Sequence, residues 1–163
     1  MKSFFSVGFF RKKQIKLGEQ EAVEYQLFEI KPLFSIKLFN FKTTAGKQDR
    51  FHTHQFNALS ILLWGDYVEE LLLDHPIHGW FFRKVKRSAR RFLIIPKNTF
   101  HRITKAKNCW TLLITGPWRG NFYELRERDG VLHAFECGKG RKDLVKSPEK
   151  NLKTKYIMNW SEE

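Results

Sequence analysis

Three histidines in this chain have the types and spacing that could do chemistry. His52 and His54 are separated by one residue, and in an extended segment such residues point their side chains to the same face. His101 follows a proline turn that begins at Pro96 and opens another apolar segment. If the two segments lie side by side, the three imidazoles can converge on one divalent metal ion. The spacing therefore predicts a metal site formed by His52, His54 and His101, and a metal-free pocket lined by imidazoles is the alternative.

The segments that would position these histidines have the pattern of short strands separated by turns. Apolar residues alternate or run together in residues 23–30, 33–41, 58–63, 67–73, 91–95 and 110–115. Proline and glycine interrupt these segments, and residues 64–66 are predicted to form a turn that leads into a return strand. Short strands at regular spacing are typical of an all-β sandwich or barrel. One helical turn at most is expected, around residues 18–24.

The composition predicts one folded domain of ordinary size. The chain has 163 residues, is 42% hydrophobic and contains 16 Phe. This is enough to form a hydrophobic core that needs no disulfides or structural metal. No apolar run reaches the roughly 20 residues that a membrane-spanning helix needs. The first ten residues contain only a short apolar stretch and lack the cleavage site of a signal peptide. They are therefore expected to form a strand of a cytoplasmic protein. Cys109 and Cys137 give no disulfide framework and are predicted to be buried thiols.

The net charge of +13 predicts an attraction to anions. A cation-rich segment from Phe81 to Phe92 lies between the two histidine segments, where arginines could bind phosphates and aromatic rings could stack on a base. Candidate anion-binding residues are Arg83, Lys86, Arg90 and Lys105. The alternative is a solvated hairpin whose apolar residues face inward.

The spacing around the histidines resembles the two motifs of the cupin family. Residues 46–65 contain a glycine, five residues, His-x-His and a downstream glycine, as the first cupin motif does. Residues 96–105 resemble the second motif, in which a proline precedes the third histidine by five positions. This resemblance implies a double-stranded β-helix, that is, a cupin or jelly-roll barrel, in a single domain over residues 1–163. The barrel would cover about 20–137, followed by a charged tail over about 138–163.

The chain departs from the cupin pattern at one ligand position. Ala58 stands where many cupins carry a glutamate ligand, so the resemblance carries over only His52, His54 and His101. A set of three histidines leaves two or three positions open for water, substrate or dioxygen, and it is similar to the sites of thiol dioxygenases. A divalent transition metal is therefore expected. Fe(II) is favoured, and Zn, Ni, Cu and Mn are alternatives.

Two functions from different classes follow from these patterns. The first is a metal-binding cupin that acts as a mononuclear non-haem iron-type oxygenase, an oxidoreductase of the dioxygenase kind, on a small anionic substrate. The second is a non-enzymatic cupin that binds a nucleotide, a nucleic acid or a protein partner through its basic face. No membrane partner is expected, and a homodimer is an open alternative because cupins often pair.

Overall fold

The computed structural model describes residues 6–17, 20–42, 44–45, 50–75, 79–128, 131–138, 141–144 and 152–153. In these ranges the chain forms thirteen β-strands and no helix. The strands are β1 (Ser6–Leu17), β2 (Gln20–Lys31), β3 (Phe34–Phe41), β4 (Thr44–Ala45), β5 (Arg50–His52), β6 (Ala58–His75), β7 (Gly79–Ser88), β8 (Phe92–Ile95), β9 (Phe100–Thr115), β10 (Phe122–Arg128), β11 (Val131–Gly138), β12 (Arg141–Leu144) and β13 (Leu152–Lys153). The predicted all-β class is confirmed.

The strand β9 is the organising element of the sheet. It pairs antiparallel with β3, β4, β5 and β6 at different points along its length. One continuous path of neighbouring strands is β1-β2-β3-β9-β5-β10-β11-β12, while β6 also pairs with β7 and β8. Because β5 and β9 are neighbours, the segments that carry the three histidines lie side by side, as the sequence predicts.

Two separate apolar clusters of buried residues stabilise the fold. The first cluster consists of Ala22, Phe41, Leu62, Tyr67, Ala106 and Cys109. The second consists of Phe51, Leu72, Leu125 and Ala134. Phe51 is only 1% exposed, and full burial of such a ring contributes about 1.5–3 kcal/mol. Since successive side chains of a strand point to opposite faces, anchoring Phe51 in this cluster turns His52 to the other face.

The predicted turn at residues 64–66 is wrong, because β6 continues through it without a break. The pairing of β6 with β9 shifts register on both sides of Trp64, which bends the strand instead of reversing it. Gly65 has a φ of +80° in this stretch, a left-handed conformation that glycine adopts without steric cost. As a result β6 pairs with β8 before the bend and with β7 after it.

The two ends of the chain add strands at the edges of the sheet. The predicted N-terminal strand is confirmed for residues 6–10, which lie in β1, whereas residues 1–5 lie outside the described residues. The predicted helical turn is wrong for residues 20–24, which lie in β2 and pair with β1. In the charged tail, β12 and β13 both pair with β11. The rest of the tail over 138–163 lies outside the described residues, so its predicted boundary stays a prediction.

The outer surface of β8 exposes large apolar side chains. Phe92 and Ile94 are 73% and 74% exposed, and in register they stand opposite Ile61 and Leu59 of β6. Of the residues that the structure describes, none belongs to a helix long and apolar enough to cross a membrane.

The bend in β6 predicts that Gly65→Ala destabilises the fold strongly. A Cβ at this position would lie 2.8 Å from the Cβ and 2.9 Å from the Cα of Cys109. The left-handed backbone costs an L-residue about 1–2 kcal/mol, and overpacking adds roughly 1–3 kcal/mol. The loss in the free energy of unfolding can be measured by urea denaturation.

Gly120→Ala is the matched control. Gly120 has a φ of +77°, but no atom lies within 4 Å of the position of its Cβ. This variant should therefore lose only the backbone contribution. An equal loss in the free energy of unfolding for the two variants would contradict the steric clash with Cys109 as the reason for the effect at Gly65.

Candidate metal centre

The structure brings His52, His54 and His101 into one cluster. One ring nitrogen from each lies within 4.8 Å of the other two. The Nε2 atoms of His54 and His101 are 2.8 Å apart, and the three ring centres are separated by 4.8–5.1 Å. Three imidazole nitrogens at this spacing can face one ion, because metal–nitrogen bonds are about 2.0–2.1 Å long.

The positions of the three rings follow from the pairing of three strands. His52 at the end of β5 stands directly opposite His101 of β9 and also opposite Glu124 of β10. Thr53 fixes the segment that follows, because its N–H donates to the carbonyl of Tyr123 at 2.9 Å and its Oγ1 accepts from the Tyr123 N–H at 2.8 Å. The two histidine segments are therefore held by backbone contacts rather than by the rings themselves.

The second motif also contacts the first through its backbone. The N–H of His54 donates to the carbonyl of Lys97 at 3.0 Å, and the N–H of Lys97 donates to Oδ1 of Asn57 at 2.9 Å. The turn itself is closed by the N–H of Thr99, which donates to the carbonyl of Pro96 at 3.0 Å. This turn delivers the chain into β9 one residue before His101.

The surroundings of the cluster favour uncharged imidazoles. Burial, followed by the charge of His101, lowers the pKa of His54 to about 3, and Lys37 contributes in the same direction. Burial and the neighbouring histidines also lower the pKa of His52 well below its usual value, with a smaller effect of Arg50. A lowered pKa leaves a ring nitrogen with a free lone pair at neutral pH, which is the form that binds metals.

A buried carboxylate orients His101. Oε1 of Glu69 lies 2.5 Å from Nδ1 of His101, and Oε2 of Glu69 accepts from Nε and Nη2 of Arg87 at 2.9 and 2.8 Å. Burial alone would raise the pKa of Glu69, but the hydrogen bond and charge of His101, together with Arg87, outweigh it and lower that pKa. The carboxylate is therefore ionised and accepts both bonds.

This contact fixes which nitrogen of His101 faces the cluster. A carboxylate only accepts hydrogen bonds, so Nδ1 of His101 carries the proton and donates it to Glu69. Nε2 is then left with its lone pair toward His54. A carboxylate that orients an imidazole through its far nitrogen is the usual support of a metal-binding histidine.

An aromatic and cationic wall lies beside His54. The ring of Phe56 stacks on His54 at 5.3 Å and contacts Trp118 at 5.4 Å. Nζ of the buried Lys37 lies 5.7 Å from the centre of the Trp118 ring and pairs with Glu24 at 3.2 Å. Nε1 of Trp118 is buried and has no acceptor among the described residues. This wall offers an ammonium group that is paired with Glu24, and an unpaired N–H donor, next to the histidines.

The four cations that were predicted to bind anions are exposed, and the structure does not bring them together on one face. Lys86 of β7 and Lys105 of β9 both stand in register with Val68 of β6, on one face of the sheet. Arg83 is an odd number of residues from Lys86 and lies on the opposite face. Arg90 sits in the turn after β7 with a φ of +66°. Their role in anion binding stays a prediction.

The two cysteines match the prediction of buried, free thiols. Cys109 is 0% exposed, and burial raises its pKa to about 11. A thiol that keeps its proton at neutral pH is a poor nucleophile. Cys109 is thus part of the first apolar cluster and not a reactive residue.

Sequence reasoning missed the supporting residues of the site. Glu69 was not among the predicted ligands, and the structure places its carboxylate behind His101. Arg87 appeared only as one cation in a basic segment, and Lys37 and Trp118 were not singled out. The one available signal was the pair of acidic residues, Glu69 and Glu70, inside the apolar run of residues 67–73.

Comparisons with known proteins identify likenesses of structure. A scan against protein-family models finds no match, and no curated protein matches the sequence. Among solved structures, the Streptomyces protein Pac13, described as a unique nucleoside dehydratase, is 12% identical, with 71% of this chain and 85% of that chain covered and a TM-score of 0.50. A Tyr-to-Phe variant of Pac13 with uridine gives 12% identity, 71% and 84% coverage and the same TM-score of 0.50. The Clostridium difficile EutQ protein is 17% identical, with 64% and 75% covered and a TM-score of 0.47.

The contact between Glu69 and His101 predicts the tautomer of that ring. In the metal-free protein at neutral pH, long-range ¹H–¹⁵N NMR spectra should show the Nδ1–H form of His101, because the carboxylate accepts that proton. His133 lies in β11, opposite Arg126 of β10 in register, and serves as an internal comparison. An Nε2–H form of His101 would contradict the orientation described above.

Proposed function

The chain has the cupin fold, and on that premise we propose that it is a metal-dependent enzyme whose ion is held by His52, His54 and His101. We place it among mononuclear non-haem oxygenase-type enzymes, with Fe(II) as the favoured ion and a small anionic molecule as substrate. The observation that carries the proposal is the arrangement of His101. Its Nδ1 is bound by Glu69, and its Nε2 lies 2.8 Å from Nε2 of His54.

The donor set fits a divalent transition ion. Three imidazole nitrogens without a carboxylate ligand suit Fe(II), Zn, Ni or Cu better than Mg or Ca, which prefer oxygen ligands. Mn is a weaker fit but remains in the set. When bound, such an ion would supply Lewis-acid chemistry and, in the case of iron, one-electron chemistry toward dioxygen.

The chain itself supplies the means to bind and orient an anion. Lys37 is buried close enough to His54 for its charge to lower the pKa of that ring. Its ammonium makes one bond to Glu24 and keeps further N–H donors for an anionic group of a substrate beside the cluster. Nε1 of Trp118 can donate a hydrogen bond to the same group, since it has no acceptor among the described residues. Phe56 covers one face of His54 and excludes water from that side. The Pac13 variant with uridine supports the expectation that a barrel of this fold holds a small ligand.

The proposal predicts that the protein binds one transition ion through the histidine cluster. Protein purified without added metal and without a histidine tag should contain about one equivalent by elemental analysis, or take up Fe(II) under anaerobic conditions. The double variant H52A/H101A should lose this metal, because two of its three ligands are gone, while the fold is retained.

His133→Ala is the matched control, since it removes a histidine of β11, a strand that carries none of the three cluster histidines. It should keep the metal content of the parent protein. Unchanged metal content in H52A/H101A, or no uptake by the parent protein, would rule out the proposed site.

The contact of Glu69 with His101 predicts that a variant at Glu69 binds the metal less tightly than the parent protein. Glu69→Gln should weaken metal binding about 10–100-fold, the usual effect of losing the carboxylate behind a ligating histidine. Affinity can be measured by anaerobic titration of Fe(II) or Co(II) into the metal-free protein.

Glu70→Gln provides the comparison for this variant. Glu70 is the next residue of the same strand, is also buried, and pairs with Arg102 at 2.6–2.7 Å instead of with a histidine. Because it loses a similar buried ion pair, it should be destabilised to a similar degree but keep its metal affinity. Equal weakening of metal binding by both variants would mean that Glu69 acts only on stability.

A further inference from the structure

A second concave site lies between β6, β7 and β8, apart from the histidines. It encloses about 380 Å³ and none of the three histidines lines it. That volume is in the range of small-molecule sites. The lining residues that matter here are Ser60, Tyr67, Lys86, Arg87, Arg91 and Phe92.

Backbone hydrogen bonds and strand pairing set the positions of the arginines that line the cavity. Tyr67 stands opposite Arg87 in the pairing of β6 with β7. The turn that follows β7 is fastened to Leu62, whose carbonyl accepts from the N–H of Arg90 at 2.7 Å and whose N–H donates to the carbonyl of Arg91 at 3.2 Å. Arg91 therefore projects from a defined position at the edge of the cavity.

The charges around the cavity do not balance. Lys86, Arg87 and Arg91 contribute three positive charges. Of these three cations, only Arg87 pairs with an acidic side chain of the described residues, and its partner is Glu69. The remaining excess of two positive charges matches a phosphate monoester, which carries about −1.5 to −2 at neutral pH.

The rest of the lining suits an organic group. Leu62, Val85 and Leu93 contribute apolar surface to the cavity. Phe92 is 73% exposed at its edge, and a ring in that position can pack on a planar or apolar group. Tyr67 is buried and keeps its hydroxyl proton, since burial and the nearby Glu69 raise its pKa. The lining thus combines a cationic part with an apolar part.

We propose that this cavity binds a small phosphate monoester that carries a planar or apolar organic group. Arg91 and Arg87 bind the phosphate through charge-assisted hydrogen bonds, which guanidinium groups form readily with phosphate oxygens. Lys86 adds a third positive charge, and Phe92 packs against the organic group. The site does not require a metal, so it stands or falls independently of the proposed function.

The test is a calorimetric titration of phenyl phosphate into the metal-free full-length chain at about 0.15 M salt. Saturable binding with one site per chain is expected. Arg91→Gln should weaken it about tenfold or more, because a hydrogen bond to a charged group is lost. Arg11→Gln removes the same charge from an exposed residue of β1, a strand that does not line the cavity, and should change the affinity less than twofold.

Further ligands and one further variant test each part of the proposal. Inorganic phosphate should bind more weakly than phenyl phosphate, and Phe92→Ala should reduce that difference. The absence of phenyl phosphate binding at roughly 10 mM would overturn the proposal. Equal weakening by Arg91→Gln and Arg11→Gln would also overturn it, since that result indicates attraction by net charge alone. Tighter binding of the dicarboxylate phthalate would overturn the assignment to phosphate.

Discussion

The buried carboxylate of Glu69 is the constraint on which the rest of the site depends. Taking an ionised carboxylate out of water costs several kcal/mol unless charged and hydrogen-bonded partners surround it. Glu69 is 2% exposed and has two such partners, Arg87 from β7 and His101 from β9. In register it stands opposite Val85 and Ile103, so each partner is two residues along its strand and on the same face. The geometry of the histidine cluster is therefore set by the alignment of three strands around one charge.

The neighbouring residue strengthens this alignment from the other face. Glu70 is also buried, and it pairs with Arg102, whose guanidinium lies 4.3 Å from the centre of the Phe51 ring. Consecutive residues of a strand point to opposite faces, so a slip of one residue would carry one of these carboxylates into the place of the other and take the second away from its partners. Breaking a buried ion pair typically costs about 3–5 kcal/mol. Two buried carboxylates on opposite faces thus specify a single register for β6, and with it the position of His101.

The sequence predicted what depends on local pattern and missed what depends on distant pairing. The His-x-His spacing and the proline turn are local, and they placed three histidines on neighbouring strands. Trp64 to Asp66 has the composition of a turn, but the pairing of β6 with β9 on both sides of it overrides that preference and leaves only a bend. The contact of Glu69 with His101 joins residues 32 positions apart and depends on the register of β6 with β9. The register between two strands that are distant in sequence cannot be predicted from the periodicity of either strand.

Arg87 connects the two candidate sites, because it lines the cavity and also binds Glu69. A guanidinium has five N–H donors, and the bonds to Glu69 engage Nε and Nη2. The remaining donors can bind an anion while the ion pair persists. An anion in the cavity would draw positive charge away from Glu69, and that carboxylate would then bind the Nδ1 proton of His101 more strongly. A stronger bond at Nδ1 makes Nε2 a better electron donor toward an ion. Because coupling between two sites is reciprocal, an ion at the histidines would favour an anion in the cavity to the same extent.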